Sequence, residues 1–353
     1  MKKIKNSKIR VIFHGEGDSI RGTGHLVRSI GMAIDFKKHS SSDWLVEVFT
    51  NNKSLVNKIL EDWKVSKLIS PKHFQLDNLL QNLNWSSSQK ILSLNSLCQI
   101  RRKAETEILI TDNKYSINSK TLSMLYQRFD LIFFIDNVSC LSLDLDGVFF
   151  PNEYSTFNST TVPVMKGAEW VWLNPKVDSV RVPAKKVFDY SIFMGGADPN
   201  NCTLLALDDL NKKIKGRKRK VVVIIGPAFQ HLNTLKKRIN DFSNLIIELS
   251  WSRGNFLERL SLARLCLIAF GLTSIELEFI GKHVVLYTHN EMHLSDAKTY
   301  LENSSSRSIL RDDWLHGDLP LANKRRKRPN FGGRLFNLLK QRVLLGGKNS
   351  GIL

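Results

Sequence analysis

Cysteine is scarce and scattered. Cys98, Cys140, Cys202 and Cys266 stand alone in apolar surroundings, with no CxxC and no neighbouring Cys/His pair. That pattern argues against a disulfide framework and against a zinc site. Long apolar runs are also missing, since nothing approaches the ~20 consecutive apolar residues that a spanning helix requires. The opening MKKIKNSKIRVIF has a basic lead but only a short apolar stretch before His14, Glu16 and Asp18. Neither a transmembrane anchor nor a cleaved signal peptide is expected, and the expected compartment is the cytoplasm.

Acidic residues vanish after Asp318, while Lys324, Arg325, Arg326, Lys327, Arg328, Arg334, Lys340, Arg342 and Lys348 follow. These nine positive charges are nearly half of the +19 net charge. Phe331, Leu335, Leu338 and Leu339 share helical spacing with Arg342 behind the KRRKR block, which suits either peripheral contact with an anionic membrane or burial against the first lobe. A solvated terminus without a specific role is the third option. RNP, KH and helix-turn-helix signatures are absent, and the block lacks interleaved aromatics apart from Phe331 and Phe336. No specific nucleic-acid partner is expected.

What the chain does have is length and a repeating alternation. Its 353 residues predict two domains at roughly 100–200 residues each, with apolar content high enough to exclude disorder for most of it. Strand patterns at Lys8–Phe13, Trp44–Thr50, Glu107–Thr111 and Leu131–Asp136 alternate with helical patterns at Leu26–Phe36, Ser54–Trp63 and Thr121–Phe129. A proline-bearing stretch from Asn152 to Val187 reads as a linker. Beyond it the alternation restarts: strands at Phe188–Met194, Lys220–Ile225, Leu245–Leu249, Leu265–Phe270 and Val284–Tyr287, helices at Cys202–Ile214, Phe256–Ala263 and from Thr273. Alternation of this kind implies an α/β protein with parallel sheets, here two Rossmann-like lobes. The expected divisions are 1–180, 181–320 and a basic amphipathic tail, 321–353.

In such sheets ligands lie at the carboxyl ends of the strands, where helix N-termini present free N–H groups to anions. Three loops occupy such places. In Gly22-Thr23-Gly24-His25 the glycines permit close backbone approach, and His25 either acts as a general base on water or a sugar hydroxyl or merely caps the next helix. In MGGADPNN, Gly195 and Gly196 leave room for a ligand while Asp198 or Asn200 can cap the helix from Cys202. In AFGLTSIE, Thr273 and Glu276 fit a capping box, or Glu276 accepts bonds from ribose hydroxyls.

The segments GTGHLVRS, MGGADPNN, VVVIIGPAFQH and AFGLTSIELEFIG together resemble the UDP-sugar hydrolases of the pseudaminic acid pathway, over about residues 8–302. Those enzymes remove UDP from UDP-2,4-diacetamido-2,4,6-trideoxy-altropyranose, and are similar to the peptidoglycan N-acetylglucosaminyltransferase and to spore-coat polysaccharide proteins. The resemblance implies a GT-B arrangement of the lobes, nucleotide held mainly by the second lobe, and no metal or other cofactor. It implies that His25 activates the water attacking the anomeric carbon, and that Arg28 matches the arginine one turn later. It aligns Gly195, Gly196 and Asp198 with the turn opening the second lobe, and Gly226 and His231 with a strand-end glycine and the histidine after it. Gly271, Thr273 and Glu276 fall on the segment binding diphosphate and ribose, and Asp112 and Asp136 on strand-end aspartates of the first lobe.

Departures from the family pattern cluster at the sugar side, where arginine, aspartate and isoleucine upstream of G-x-G-H become His14, Glu16 and Arg21. Glu16, Gly22 and Gly24 are therefore expected to contact substrate. In the second lobe Gly-Gly becomes Gly271-Leu272, a proline becomes His283, and Asn290, Glu291 and His293 compete for the place of a glutamine. The implied reaction is hydrolysis of a UDP-sugar in surface glycan or nonulosonic acid synthesis. The alternative is a glycosyltransferase of the same architecture, with a sugar hydroxyl in place of water.

Overall fold

A computed structural model describes residues 8–17, 23–41, 43–50, 97–113, 117–137, 143–151, 157–214, 218–251, 255–321 and 323–344, with isolated positions at 59, 75–76, 139 and 216. Of the expected helix at Ser54–Trp63 only Ile59 is described, as helical and buried, and Cys140, Arg21 and Gly22 lie outside the described residues.

The chain forms two parallel sheets. The first contains β1 (Ile9–Gly15), β2 (Trp44–Phe49), β3 (Gln75–Leu76), β4 (Thr106–Asp112), β5 (Leu131–Ile135), β6 (Gly147–Phe150) and β7 (Val164–Lys166), in the order β3-β2-β1-β4-β5-β6-β7. The second contains β8 (Phe188–Phe193), β9 (Arg219–Ile225), β10 (Leu245–Trp251), β11 (Ala263–Ala269), β12 (His283–Tyr287) and β13 (Ile309–Leu310), in the order β10-β9-β8-β11-β12-β13. Central strands such as LIFFI of β5 are buried throughout, because helices cover both faces and neither face meets water. Those helices include α1 (Gly24–His39), α2 (Ser119–Tyr126), α3 (Cys202–Lys213), α4 (Leu232–Arg238), α5 (Phe256–Ser261), α6 (Leu272–Phe279), α7 (Glu291–Asn303), α8 (Arg311–His316) and α9 (Phe331–Leu344). No helix among the described residues is long and apolar enough to cross a membrane.

The expected linker does more than connect. Trp172 is fully buried in the first lobe's core, where a Cβ on Gly31 would overlap its indole. Its neighbours Val171 and Leu173, with Val177 and Val180, belong to the core of the second lobe. Successive side chains of an extended segment point to opposite sides, so three residues anchor in two cores. The segment reads as irregular because it alternates between lobes, not because it is loose.

The basic tail is also structural in large part. Arg325 donates to the carbonyls of Val180 (2.7 Å) and Asp178 (2.9 Å). Arg326 stacks on Phe279 at 3.8 Å. Arg328 reaches Asp35 Oδ2 of the first lobe (2.9 Å) and Asp178 Oδ2 of the connection (3.2 Å). The α9 helix then lies along α1, with Phe331, Leu335 and Leu339 fully buried beside Phe36 and Trp44. The apolar stripe therefore faces the first lobe, not a lipid surface. Lys324, Lys327, Arg334 and Lys340 stay exposed.

Candidate active site

Because β1 and β4 are neighbours with Gly15 opposite Asp112, their carboxyl ends meet where α1 begins. Three side chains converge there. His25 Nδ1 lies 2.8 Å from Asp112 Oδ1, and Arg28 clasps both oxygens of the same carboxylate, through Nε at 2.7 Å and Nη2 at 2.8 Å. Asp136, just past β5 with φ +56°, approaches Arg28 Nη2 at 3.4 Å. Burial alone would raise the Asp112 carboxyl, but Arg28 and His25 outweigh it and hold the group well below the usual carboxylate range. Burial opposes the charge on Arg28, and Asp112 with Asp136 more than restores it.

The consequence for His25 is a fixed ring. An ionised Asp112 accepts a hydrogen bond from Nδ1–H, which selects the tautomer with an unprotonated Nε2, the form a general base needs. Asp112 is fully buried while His25 is 26% exposed, so the carboxylate is shielded and the imidazole meets solvent. Beside them His14 Nδ1 lies 2.7 Å from Thr111 Oγ1, and the buried Glu16 stands 3.8 Å from His14 Nε2. Near the amino ends of the same sheet, by contrast, Arg10 is fully buried between Glu47 and Glu107, themselves buried.

The second lobe meets this cluster through glycine. A Cβ on Gly196 would overlap the side chain of Thr23, and one on Gly226 would overlap the carbonyl oxygens of Gly195 and Gly196. The loop after β8 thus packs backbone to backbone on the end of β9, and its Gly196 backbone receives the Thr23 side chain at the start of α1. No side chain caps the N-terminus of α1, and no acidic residue lies in its first turn. Gly24 is exposed, and nothing lies within 4 Å of where its Cβ would be.

Several expected binding residues have structural tasks. Both oxygens of Asp198 cap α3, accepting from Cys202 N (2.8 Å) and Thr203 N (2.9 Å), which is the capping option. The capping box expected of Thr273 and Glu276 does not form. The N-cap falls two residues earlier, at Gly271, in a φ of +147° that side chains avoid, and Ser274 Oγ accepts the Gly271 N–H at 3.1 Å. Thr273 is half-buried in the first turn, and His231 precedes α4 with Nε2 3.4 Å from the Pro199 carbonyl. Glu276 is buried and accepts the backbone N–H of Asn174 at 2.9 Å, tying α6 to the connection between lobes. Sequence placed Asp112 at a strand end but not beside His25, because that pairing depends on β4 lying next to β1.

Burial pushes the Glu276 carboxyl up to about 8, against the opposing pull of the Asn174 amide. A raised carboxyl means that between about pH 4.5 and 8 the unfolded chain is ionised while the folded one keeps its proton, so stability falls as pH rises through that window. Each pH unit within it costs about 1.4 kcal/mol. Gln at 276 keeps the acceptor for Asn174 without the titration. Urea midpoints should show Glu276→Gln gaining on the parent from pH 5 to pH 8 and no further above; a difference independent of pH would contradict the assignment.

No family model matches the chain, and no curated protein matches it in sequence. Solved structures do. A candidate UDP-N-acetylglucosamine 2-epimerase of Listeria monocytogenes superposes with a TM-score of 0.56 at 10% identity, covering 98% of this chain and 99% of its own. MnaA of S. aureus, solved with UDP, gives 0.54 at 13% identity over 96% and 97%. MurG of Acinetobacter baumannii gives 0.51 at 16% identity over 96% and 92%. Likeness at these identities establishes the architecture: two Rossmann-like lobes in the GT-B arrangement.

Proposed function

We propose that this chain is a nucleotide-sugar hydrolase, releasing UDP from a UDP-linked acetamido-deoxy sugar by attack of water at the anomeric carbon, in surface glycan or nonulosonic acid synthesis. The observation that carries the reading is the His25–Asp112 pair, clamped by Arg28 where the two lobes meet. His25 Nε2 takes a proton from water as the water oxygen bonds C1. The bond from C1 to the diphosphate oxygen breaks, and its electron pair leaves with UDP. UDP lies on the second lobe, its diphosphate at the start of α6 after Gly271, where backbone N–H groups and the helix dipole favour the departing charge. Thr273 is within that first turn, and Glu276 is assigned to the ribose by resemblance. Glu16 and Gly24 border the sugar, and Gly22 is assigned to the same side by resemblance. No cofactor enters this chemistry.

The GT-B architecture fits a second reading equally, in which a sugar hydroxyl on an acceptor replaces water. The dyad serves either nucleophile. A panel of UDP-sugars incubated without acceptor separates them: UDP release from at least one supports the hydrolase, and release only after a glycan acceptor is added supports the transferase. A protein that neither binds UDP in thermal shift nor releases it would remove both.

Gly24 gives an internal check on where the sugar lies. Gly24 is the first residue of α1 and has open space around it, so Gly24→Ala should not lower the unfolding midpoint. Under the proposed pose Gly24→Val raises KM for the UDP-sugar at least about tenfold by filling the approach. An unchanged KM would move the sugar away from this helix start.

A further inference from the structure

Cys202 opens α3 and His289 follows β12, 87 residues apart in the chain. Because β11 alone separates β8 from β12, the loops after β8 and β12 share one rim of the second sheet. There one oxygen of Asp198, the sulfur of Cys202 and a ring nitrogen of His289 all lie within 4.8 Å of one another. The Sγ to Nδ1 separation is 3.4 Å. In a tetrahedral zinc site, Zn–S near 2.3 Å and Zn–N near 2.0–2.1 Å place those two ligand atoms roughly 3.5 Å apart.

Other contacts hold the three groups in register. The two helix-capping bonds fix the Asp198 carboxylate, and each of its oxygens retains a second lone pair. Asn200 donates its amide to the His289 carbonyl. The His289 backbone N–H lies 3.4 Å from His293 Nδ1, and the two imidazoles stack at 5.6 Å with 12° between planes. Asp198 and Cys202 are buried whereas His289 is part-exposed, which leaves a path for an ion.

We propose that Asp198, Cys202 and His289 form a binding site for a borderline-soft divalent cation, Zn²⁺ foremost, with water as the fourth ligand. A carboxylate and a thiolate neutralise the ion, and the sulfur and imidazole disfavour Mg²⁺ and Ca²⁺. Only a thiolate binds such an ion, so uptake releases the Cys202 thiol proton to solvent as the metal–sulfur bond forms. The bound ion ties the Gly195–Asp198 loop to the start of α7. Asp198, expected at the nucleotide turn, caps α3 instead, and neither Cys202 nor His289 has a part in the sugar chemistry, so the site stands or falls apart from the hydrolase reading. Chain spacing hides it, because its Cys/His pair is assembled only by strand order.

The test uses the full chain freed of metal with a chelator and titrated with Co²⁺, then Zn²⁺. A thiolate-to-cobalt charge-transfer band should appear, saturate at one equivalent and be displaced by one equivalent of Zn²⁺. Zn²⁺ should raise the unfolding midpoint of the parent. Cys202→Ser should abolish the band, and both Cys202→Ser and His289→Ala should weaken Zn²⁺ binding at least about 100-fold, while leaving the Asp198 cap intact. Absence of the band in the parent, or Zn²⁺ binding equal in the parent and in His289→Ala, would overturn the site.

Discussion

His25→Ala lowers UDP release by about 10²–10⁴-fold, the contribution of a positioned general base, with little change in UDP affinity or in the unfolding midpoint. The fold is indifferent because Arg28 keeps its two bonds to Asp112 when the imidazole is gone. Asp112→Asn gives a comparable rate loss by a different route. An amide in that place no longer selects the Nδ1–H tautomer and meets Arg28 without a charge, in a position with no exposure to solvent. Breaking a buried pair of this kind costs about 3–5 kcal/mol. The two variants thus separate chemistry from support: both lose turnover, and only Asp112→Asn loses stability. Rate measurements with denaturant midpoints on the same preparations check this, and a His25→Ala enzyme with parental turnover would remove the histidine from the mechanism.

Truncation after residue 323 abolishes folding of the first lobe. The deletion removes Phe331, Leu335 and Leu339, each fully buried in that lobe's core, together with the ion pair from Arg328 to Asp35. At about 2–5 kcal/mol for each large apolar side chain, the loss is roughly 6–15 kcal/mol, the size of a whole domain's stability. The expected product is insoluble, or compact with loosened packing and dye-binding surface. A soluble 1–323 chain with the parental unfolding midpoint would contradict this placement of α9. Leu335→Ala alone should cost about 2–5 kcal/mol. Any question about anionic surfaces is therefore better put to the exposed Lys324, Lys327, Arg334 and Lys340, whose reversal to glutamate leaves the packed stripe in place.

The central strands and their helices were legible because period and length agree there: apolar runs such as VVVII of β9 end in glycine, and helical spacing follows at α1 and α3. Short edge strands β7 and β13 were not, since two or three residues carry no period. Alternation at Val171–Trp172–Leu173 looked like irregular linker because Trp172 serves one core while Val171 and Leu173 serve the other. At the site, His25 and Arg28 were visible one helical turn apart, but their shared partner Asp112 is 84 residues beyond Arg28 and reaches it through strand order alone. Glu276 misled in the other direction. A T-x-x-E spacing fits a capping box, yet the φ of Gly271 starts the helix earlier and turns the carboxylate toward Asn174.

One measurement bears most directly on the central claim, that a nucleophile prepared by His25 attacks the anomeric carbon of a nucleotide sugar. The purified full chain is incubated with the UDP-sugar it accepts in water enriched in ¹⁸O, and both products are analysed by mass spectrometry. Attack of water at C1 predicts one ¹⁸O in the released sugar and none in UDP, with the yield falling together with His25→Ala. Label in the phosphate of the nucleotide product would show cleavage at phosphorus instead, and would contradict the account.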